Sequence, residues 1–413
     1  MTTVRFKGVR PVVVLTAAGE LVLRRRYFWG TGAGGRYPAD QRVGIDASTV
    51  TAGARELCAL MGIASDFRTA SANLKRVGGL AVCPERLRQV VEREAATVAA
   101  ARNAGLVPAS WSARSTELEK GRLYTGVDGL LVRTVTQAEK DQRRKAHATR
   151  RRQRGKSKTG NLRPLPDARP GTDQAFKEVK FGLFYDQPKD HCHAVATAGD
   201  GAELGRLLRL HAAQVGIDHA KQRAAITDGA SWIARQLRIN LPMITTHVLD
   251  FYHLAQHVHA AADACLQQGT AAAETWAHAR LGEAKRGGAA PVLDAIDALA
   301  RQVRRSKVKR EALRQLRGYV AERTAMLDYP RFRRRGSDIG SGPTEGGGKT
   351  LAWRVRLPGM KWDRNDAADV TSLQAQLAST TDPVDKAAIQ TQIDGVQAQM
   401  DALIKANPGF TTP

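Results

Sequence analysis

The sequence predicts an α/β protein. Its centre is a mixed sheet interrupted by an all-helical insertion; a β-hairpin and a helical region precede it, and a helical tail follows. Three observations carry this. Strand-like and helix-like runs alternate between residues 123 and 249. An Ala- and Arg-rich stretch, 254–335, is helical in pattern throughout. The Gln/Ala-rich end, Asp363–Ala406, repeats Leu373, Leu377, Ile389, Ile393, Val396, Met400 and Leu403 at helical spacing.

Charge sets the class of partner. The 413 residues hold 64 Lys+Arg against 40 Asp+Glu, a net charge of +24. Self-repulsion on that scale opposes compaction, so a polyanion, nucleic acid before anionic membrane, is the expected partner. The sequence has no long uncharged apolar run and no signal-like start, which excludes a membrane-spanning reading and points to a cytoplasmic, nucleoid-associated protein. Cys58, Cys83, Cys192 and Cys265 form no CxxC pair and are expected to be reduced and buried.

Taken in order, Val12–Leu15 and Leu21–Leu23 flank the turn Ala17-Ala-Gly19, which predicts a hairpin within 1–47. Arg24, Arg25 and Arg26 run into Tyr27, Phe28 and Trp29, a pattern that fits either a nucleic-acid grip or a solvated strand edge. Residues 48–121 hold three helices and a linker. Ser48 or Thr49 caps the first, Ser65 or Asp66 the second, and Pro84 opens the third, after the Gly78-Gly79 break. A basic third helix after a glycine break fits a helix-turn-helix DNA reader, and equally a plain three-helix module.

Residues 122–253 read as strand, strand, strand, helix, strand, helix, strand. The strands are Leu123–Val132, Glu178–Tyr185, His193–Thr197, Arg223–Asp228 and Pro242–Leu249. Between the first two, Thr136–Gln174 is polar and basic, with Arg150, Arg151, Arg152 and Arg154 at its centre, and is expected to be mobile by itself. The helical insertion 254–335 carries Arg304, Arg305, Arg333, Arg334 and Arg335 in its basic runs. Residues 336–362 return to the core, and 363–413 form the tail, read as a helical hairpin for packing or self-association.

Ser337–Thr350 admits two readings. Gly348-Lys-Thr350 ends like a phosphate-binding loop, but Pro343 stands where that loop needs its first glycine, and Arg331–Arg335 cannot be the buried strand before it. The alternative starts from acids. Asp128 lies in the first strand and Asp228 ends the fourth, where an apolar strand would not carry a charge without a reason. With Glu345 as a third carboxylate, all-oxygen ligation favours Mg²⁺ or Mn²⁺ and two-metal phosphoryl transfer.

The segments Val127-Asp-Gly, Thr227-Asp-Gly-Ala-Ser-Trp, Leu249-Asp-Phe-Tyr-His, Ile339-Gly-Ser-Gly-Pro-Thr-Glu and Gly359-Met-Lys-Trp362 together resemble DDE transposases of bacterial insertion sequences. The likeness is to the ISKra-type group, which is similar to Mutator-like transposases, and it covers about residues 4–370. It implies an RNase H-like sheet, with Asp128, Asp228 and Glu345 as the catalytic, metal-binding triad. It also implies binding of terminal inverted repeats, DNA cleavage and strand transfer, with DNA-bound homodimers or larger assemblies. Asp250 and His253 match a D-x-x-H signature, and Asp250 also reads as a helix cap. Lys349 reads as a DNA-phosphate contact, and Trp353 and Trp362 as wedges or stacking platforms for DNA. The chain departs from the family in having Trp29-Gly-Thr-Gly-Ala-Gly where relatives carry a Cys pair, and in Gly346-Gly-Gly348 after Glu345. Helix-interior glycines each cost about 1 kcal/mol against Ala, which predicts a loosely held Glu345. Alternatives are an RNase H-like nuclease or resolvase without strand transfer, and a DNA-binding protein with an inactive site.

Overall fold

The computed structural model describes residues 4–40, 45, 48–109, 111–114, 121–155, 167, 173–357 and 360–378. Its centre is a five-stranded mixed sheet of β4 (Arg122–Arg133), β5 (Phe176–Asp186), β6 (Cys192–Thr197), β7 (Gln222–Thr227) and β8 (Thr246–Leu249). The order is β6-β5-β4-β7-β8. β5 is antiparallel to both its neighbours, while β4, β7 and β8 run parallel. The chain leaves β4 towards one edge and later builds outward from β7 to the other, so the β4/β7 boundary is a topological switch point. In open α/β sheets such points hold ligands.

Alternation along the strands divides the core. Leu123 and Val127 face α5 (Gly201–Val215) and α6 (Ser231–Asn240), with Leu204, Leu207, Leu208, Ile233 and Leu237. Tyr124, Leu130 and Val132 face the other way, into the larger core. That core includes the insertion: α7 (Phe251–Leu266), α8 (Ala271–Gly287), α9 (Ala289–Gln302), α10 (Lys307–Glu322) and α11 (Tyr329–Arg334). It also takes in α12 (Gly342–Val355) and α13 (Arg364–Ala378).

The N-terminal part forms the predicted hairpin, β1 (Arg5–Thr16) and β2 (Gly19–Gly30), with a short third strand β3 (Gly34–Arg36). Three helices follow: α1 (Ala52–Ala64), α2 (Phe67–Gly78) and α3 (Pro84–Asn103). Asp66 caps α2 by accepting from Arg68 N and Thr69 N, and Gly79 closes it at φ +63°. α3 is 20 residues long and buries Leu87, Val90, Val91, Ala95, Ala99 and Arg102, so its second half is core rather than a free reading head.

Four expectations need correction. Thr136–Gln174 holds a helix, α4 (Gln137–Gln153), in its described part. The Thr136 hydroxyl caps it by accepting from Glu139 N, and its first turn is tied down by Lys140–Asp363 at 3.0 Å and Glu139–Lys361 ion pairs. The strand expected over Pro242–Leu249 begins at Thr246, after a turn. Cys83 is exposed and Cys192 half-buried; only Cys58 and Cys265 are buried. Residues 106–121 read as a linker, yet in their described part Trp111 and Ala113 pack into the α5–α6 core. The second arm of the expected tail hairpin lies outside the described residues. Among the described residues, no helix is long and apolar enough to cross a membrane.

Candidate active site

β4 and β7 are parallel neighbours whose last paired residues are Val127 and Thr227. Asp128 comes next on β4 and Asp228 is the first residue after β7, so the two backbones bring them side by side, at roughly the 4.8 Å spacing of adjacent strands. The Asp128 Oδ1 accepts from Gly129 N at 2.7 Å, and the Asp228 Oδ1 accepts from Ala230 N at 2.8 Å. Burial pushes the Asp128 carboxyl above the usual range; His253 pulls it down, and Asp228 and Glu178 push it up. None of the charges that shape it is a lysine or arginine. Two like-charged carboxylates with no lysine or arginine ion pair among the described residues suit a divalent metal, and the all-oxygen donors suit Mg²⁺ or Mn²⁺.

The Asp228 turn is held from the insertion. The Tyr319 hydroxyl donates to the Asp228 carbonyl at 2.9 Å, and Arg323 Nε donates to the Gly229 carbonyl at 2.9 Å. Gly229 sits at φ +77°, and a Cβ there would collide with Arg323 and Leu249, so glycine is required twice over. His257 stacks on Tyr319 at 3.8 Å between ring centroids. Burial lowers the His257 pKa, with His253 and Arg323 adding to the fall and Asp228 opposing it.

Glu345 stands apart from the aspartates. It lies in the first turn of α12, with its side chain 58% exposed and paired to Lys349 Nζ at 2.9 Å. That hydrogen bond, Lys349's charge and a smaller pull from His253 hold its carboxyl below the usual range. Among the described residues, no three His, Cys, Asp or Glu side chains come together as a metal-holding group. The structure therefore brings Asp128 and Asp228 together and leaves Glu345 at the rim, where the expected three-carboxylate convergence is not met. Lys349 is its ion-pair partner.

The glycines are not the cause. A Cβ at Gly347 would collide with Leu183 of β5, and one at Gly348 would lie 2.9 Å from Phe181. Thr344 sits over Gly126 of β4, which has no room for a side chain. These residues let α12 lie directly on the sheet, so the helix is seated rather than loose.

Asp250 is buried, as its capping role requires. Its Oδ1 accepts from Tyr252 N at 2.9 Å, its Oδ2 accepts from the Ser341 hydroxyl, and Phe251 N donates to the Ile339 carbonyl at 2.9 Å. It thus ties the start of α7 to the loop that launches α12. His253 is half-buried and close enough to both Asp128 and Glu345 to act on their charge.

The predicted DNA contacts are spread out. Arg150, Arg152 and Arg154 are exposed and Arg151 half-exposed at the end of α4, which leaves the C-terminal end of β4. Arg304 and Arg305 are exposed between α9 and α10. Arg333, Arg334 and Arg335 are exposed, and Arg335 lines a groove with Arg122, Gln222 and Thr246 at the strand starts, opposite to Asp228. Trp353 is 61% exposed. Trp362 is not available for stacking on DNA: it is buried, its Nε1 donates to the Val355 carbonyl at 3.0 Å, and it packs edge-on to Phe67.

Sequence reasoning missed Tyr319, Arg323 and Arg354. Arg354 is fully buried in α12, donates to the Gly62 carbonyl, and lies over the Phe67 ring at 4.3 Å and the Trp362 ring at 5.0 Å. It joins α12 to the α1–α2 junction. No local pattern marks it, since an arginine on a basic chain reads as surface. His257 had a signal, four residues after His253 and so on the same helix face.

No protein-family model and no curated protein matches the chain.

Proposed function

We propose that the chain is a polynucleotidyl transferase of RNase H-like architecture. The sheet order β6-β5-β4-β7-β8, with β5 alone reversed, supports that class. Within it, the motifs resembling DDE transposases favour a transposase that cleaves the ends of an insertion sequence and joins them to target DNA. The observation that carries the reading is the pair Asp128 and Asp228, side by side at the switch point of the sheet, with no lysine or arginine ion-paired to either among the described residues.

Mg²⁺ or Mn²⁺ held by Asp128 and Asp228 would supply Lewis-acid activation of a water or 3′-OH at a phosphodiester. The protein's own part is positioning. The backbone of the Asp228 turn is pinned by Tyr319 and Arg323, so the turn that carries the carboxylate is set before any ligand arrives. His253 acts on the charge of both Asp128 and Glu345 and eases the burial penalty on Asp128. Breaking the Lys349 pair would free Glu345 to turn inward, and a DNA phosphate taking up Lys349 is the natural competitor.

The test is Asp228→Asn. Divalent-metal-dependent cleavage of DNA carrying the element's ends should fall by at least three orders of magnitude, with DNA affinity unchanged within about twofold, since a charge that balances metal is lost and no phosphate contact is. Equal cleavage by mutant and wild type would refute the site. Joining of pre-cleaved ends by the wild type separates a transposase from a nuclease or resolvase.

A further inference from the structure

The β1–β2 hairpin is far more cationic than its fold requires. Residues 5–36 hold seven cations, Arg5, Lys7, Arg10, Arg24, Arg25, Arg26 and Arg36, against one acid, Glu20. The register sets Arg10 opposite Arg25, a like-charge pair that weakens a ribbon. Arg25 is relieved by Asp40 and by the Tyr37 ring at 3.8 Å. Arg24 and Arg26 are exposed, and no carboxylate among the described residues pairs with them.

The turn end of the ribbon is anchored on the helical region. Leu15 N donates to the Thr49 carbonyl at 2.8 Å and Thr51 N to the Leu15 carbonyl at 2.9 Å, so the turn end rests on the start of α1. The other end carries an irregularity. A bulge between Phe6 and Val9, with Gly8 at φ +107°, brings Phe6 opposite Phe28, their rings 5.7 Å apart. Beyond it, Val9, Val13 and Val22 share one face with Arg24 and Arg26. Those valines and Phe6 are about half or more exposed.

We propose that this face of the ribbon is a docking surface for duplex DNA, separate from the carboxylate site. The major groove, about 12 Å wide, admits a two-stranded ribbon and sets a phosphate wall on each side of it. Arg24 and Arg26 on this face, with the exposed Arg10 of β1 on the opposite one, fit phosphates on either side, whereas a flat anionic membrane would meet only one face. The exposed valines suit thymine methyl groups on the groove floor. A second copy of the chain is disfavoured: its cations would face these, and Pro11, the bulge and the charged edge of β1 blunt strand-to-strand pairing. The choice of DNA as the polyanion rests on the function proposed above.

The test uses the full chain without divalent metal, so that cleavage plays no part. Binding to a mixed-sequence 30-bp duplex, read by fluorescence anisotropy between about 50 and 200 mM salt, gives the slope of log K against log salt. In Arg24→Ala/Arg26→Ala that slope should become shallower by about 1.8, two phosphate contacts, while Arg24→Lys/Arg26→Lys keeps the wild-type slope. Val9→Ser/Val22→Ser should weaken binding several-fold with the slope unchanged. Both arginines are exposed, and unchanged circular dichroism checks the fold. An unchanged slope in the alanine variant overturns the proposal. So does a loss confined to phosphatidylserine vesicles, or a loss confined to self-association in sedimentation. A shallower slope in a chain whose Asp228→Asn variant cleaves like wild type keeps the ribbon and removes the catalytic reading.

Discussion

Asp128 shows how a site and a fold pull in different directions. Its neighbours leave the carboxyl desolvated and beside a second carboxylate, so its pKa is raised in the folded chain. A raised acid pKa means the folded state holds the proton more tightly than the unfolded one. Stability from this group is therefore fully present below the unfolded carboxylate value, about 3.9, and is lost as pH rises through the folded value. At neutral pH and without divalent metal, the ionised Asp128 is a net cost. Asp128→Asn should then raise the melting temperature of metal-free protein at pH 7, and the gain should vanish when the melt is repeated below about pH 3.9. A lower melting temperature at pH 7 would mean that Asp128 makes a stabilising ion pair after all. This same cost made the residue legible in the sequence: a lone acid in an apolar strand is rarely there for packing. Glu345 stands out in the sequence by its motif, but its placement does not, because the Lys349 pair is decided by side-chain rotamers on an exposed helix turn.

At the scale of the element, α12 shows what a single sequence cannot display. Three consecutive glycines in a helix read as weakness, since their conformational cost is visible and their partners are not. Leu183 and Phe181, more than 160 residues earlier, make two of the three necessary. Gly346 differs: a Cβ there meets nothing within 4 Å. Gly346→Ala should stabilise the protein by about 1 kcal/mol through helix propensity. Gly347→Ala gains the same propensity but drives a methyl into Leu183, and overpacking of about 1–3 kcal/mol should cancel or outweigh the gain. Urea unfolding midpoints of the two variants should move in opposite directions, or Gly347→Ala should stand well below Gly346→Ala; equal midpoints would mean that α12 does not rest on β5. The same blindness explains α4. Its polarity is visible in the sequence, but the anchors that hold its first turn, Lys361 and Asp363, lie some 220 residues away.

At the scale of the molecule, the strands, the turn from β7 to α6 and the helical insertion were legible because each is a local pattern of apolar spacing and breakers. The joints between them were not, because each depends on one buried polar side chain meeting a distant backbone. Arg354 joins α12 to α1, and Arg102 joins α3 to β6 and α13, with its guanidinium donating to the Ala194 carbonyl and to Gln376. Burial lowers the pKa of each to about 10, so both stay charged at neutral pH and need the partners they have. α13 is therefore part of the core and not an appendage. It buries Val370, Leu373 and Ala375 against β6 and α3, and its Ser372 hydroxyl donates to the Ala196 carbonyl at 3.3 Å. Deleting residues 364–413 uncovers those side chains' partners and strips Arg102 of Gln376. Two large apolar side chains at about 1.5–3 kcal/mol each, and a buried charge losing a hydrogen bond at about 1.5–3 kcal/mol, remove on the order of 5 kcal/mol. That is a large share of the roughly 5–15 kcal/mol that holds a domain together. The truncated chain should unfold at a clearly lower urea concentration than the full chain, or fail to fold at all. A midpoint unchanged by the deletion would show that α13 is dispensable to the sheet and that its packing against β6 is not formed in solution.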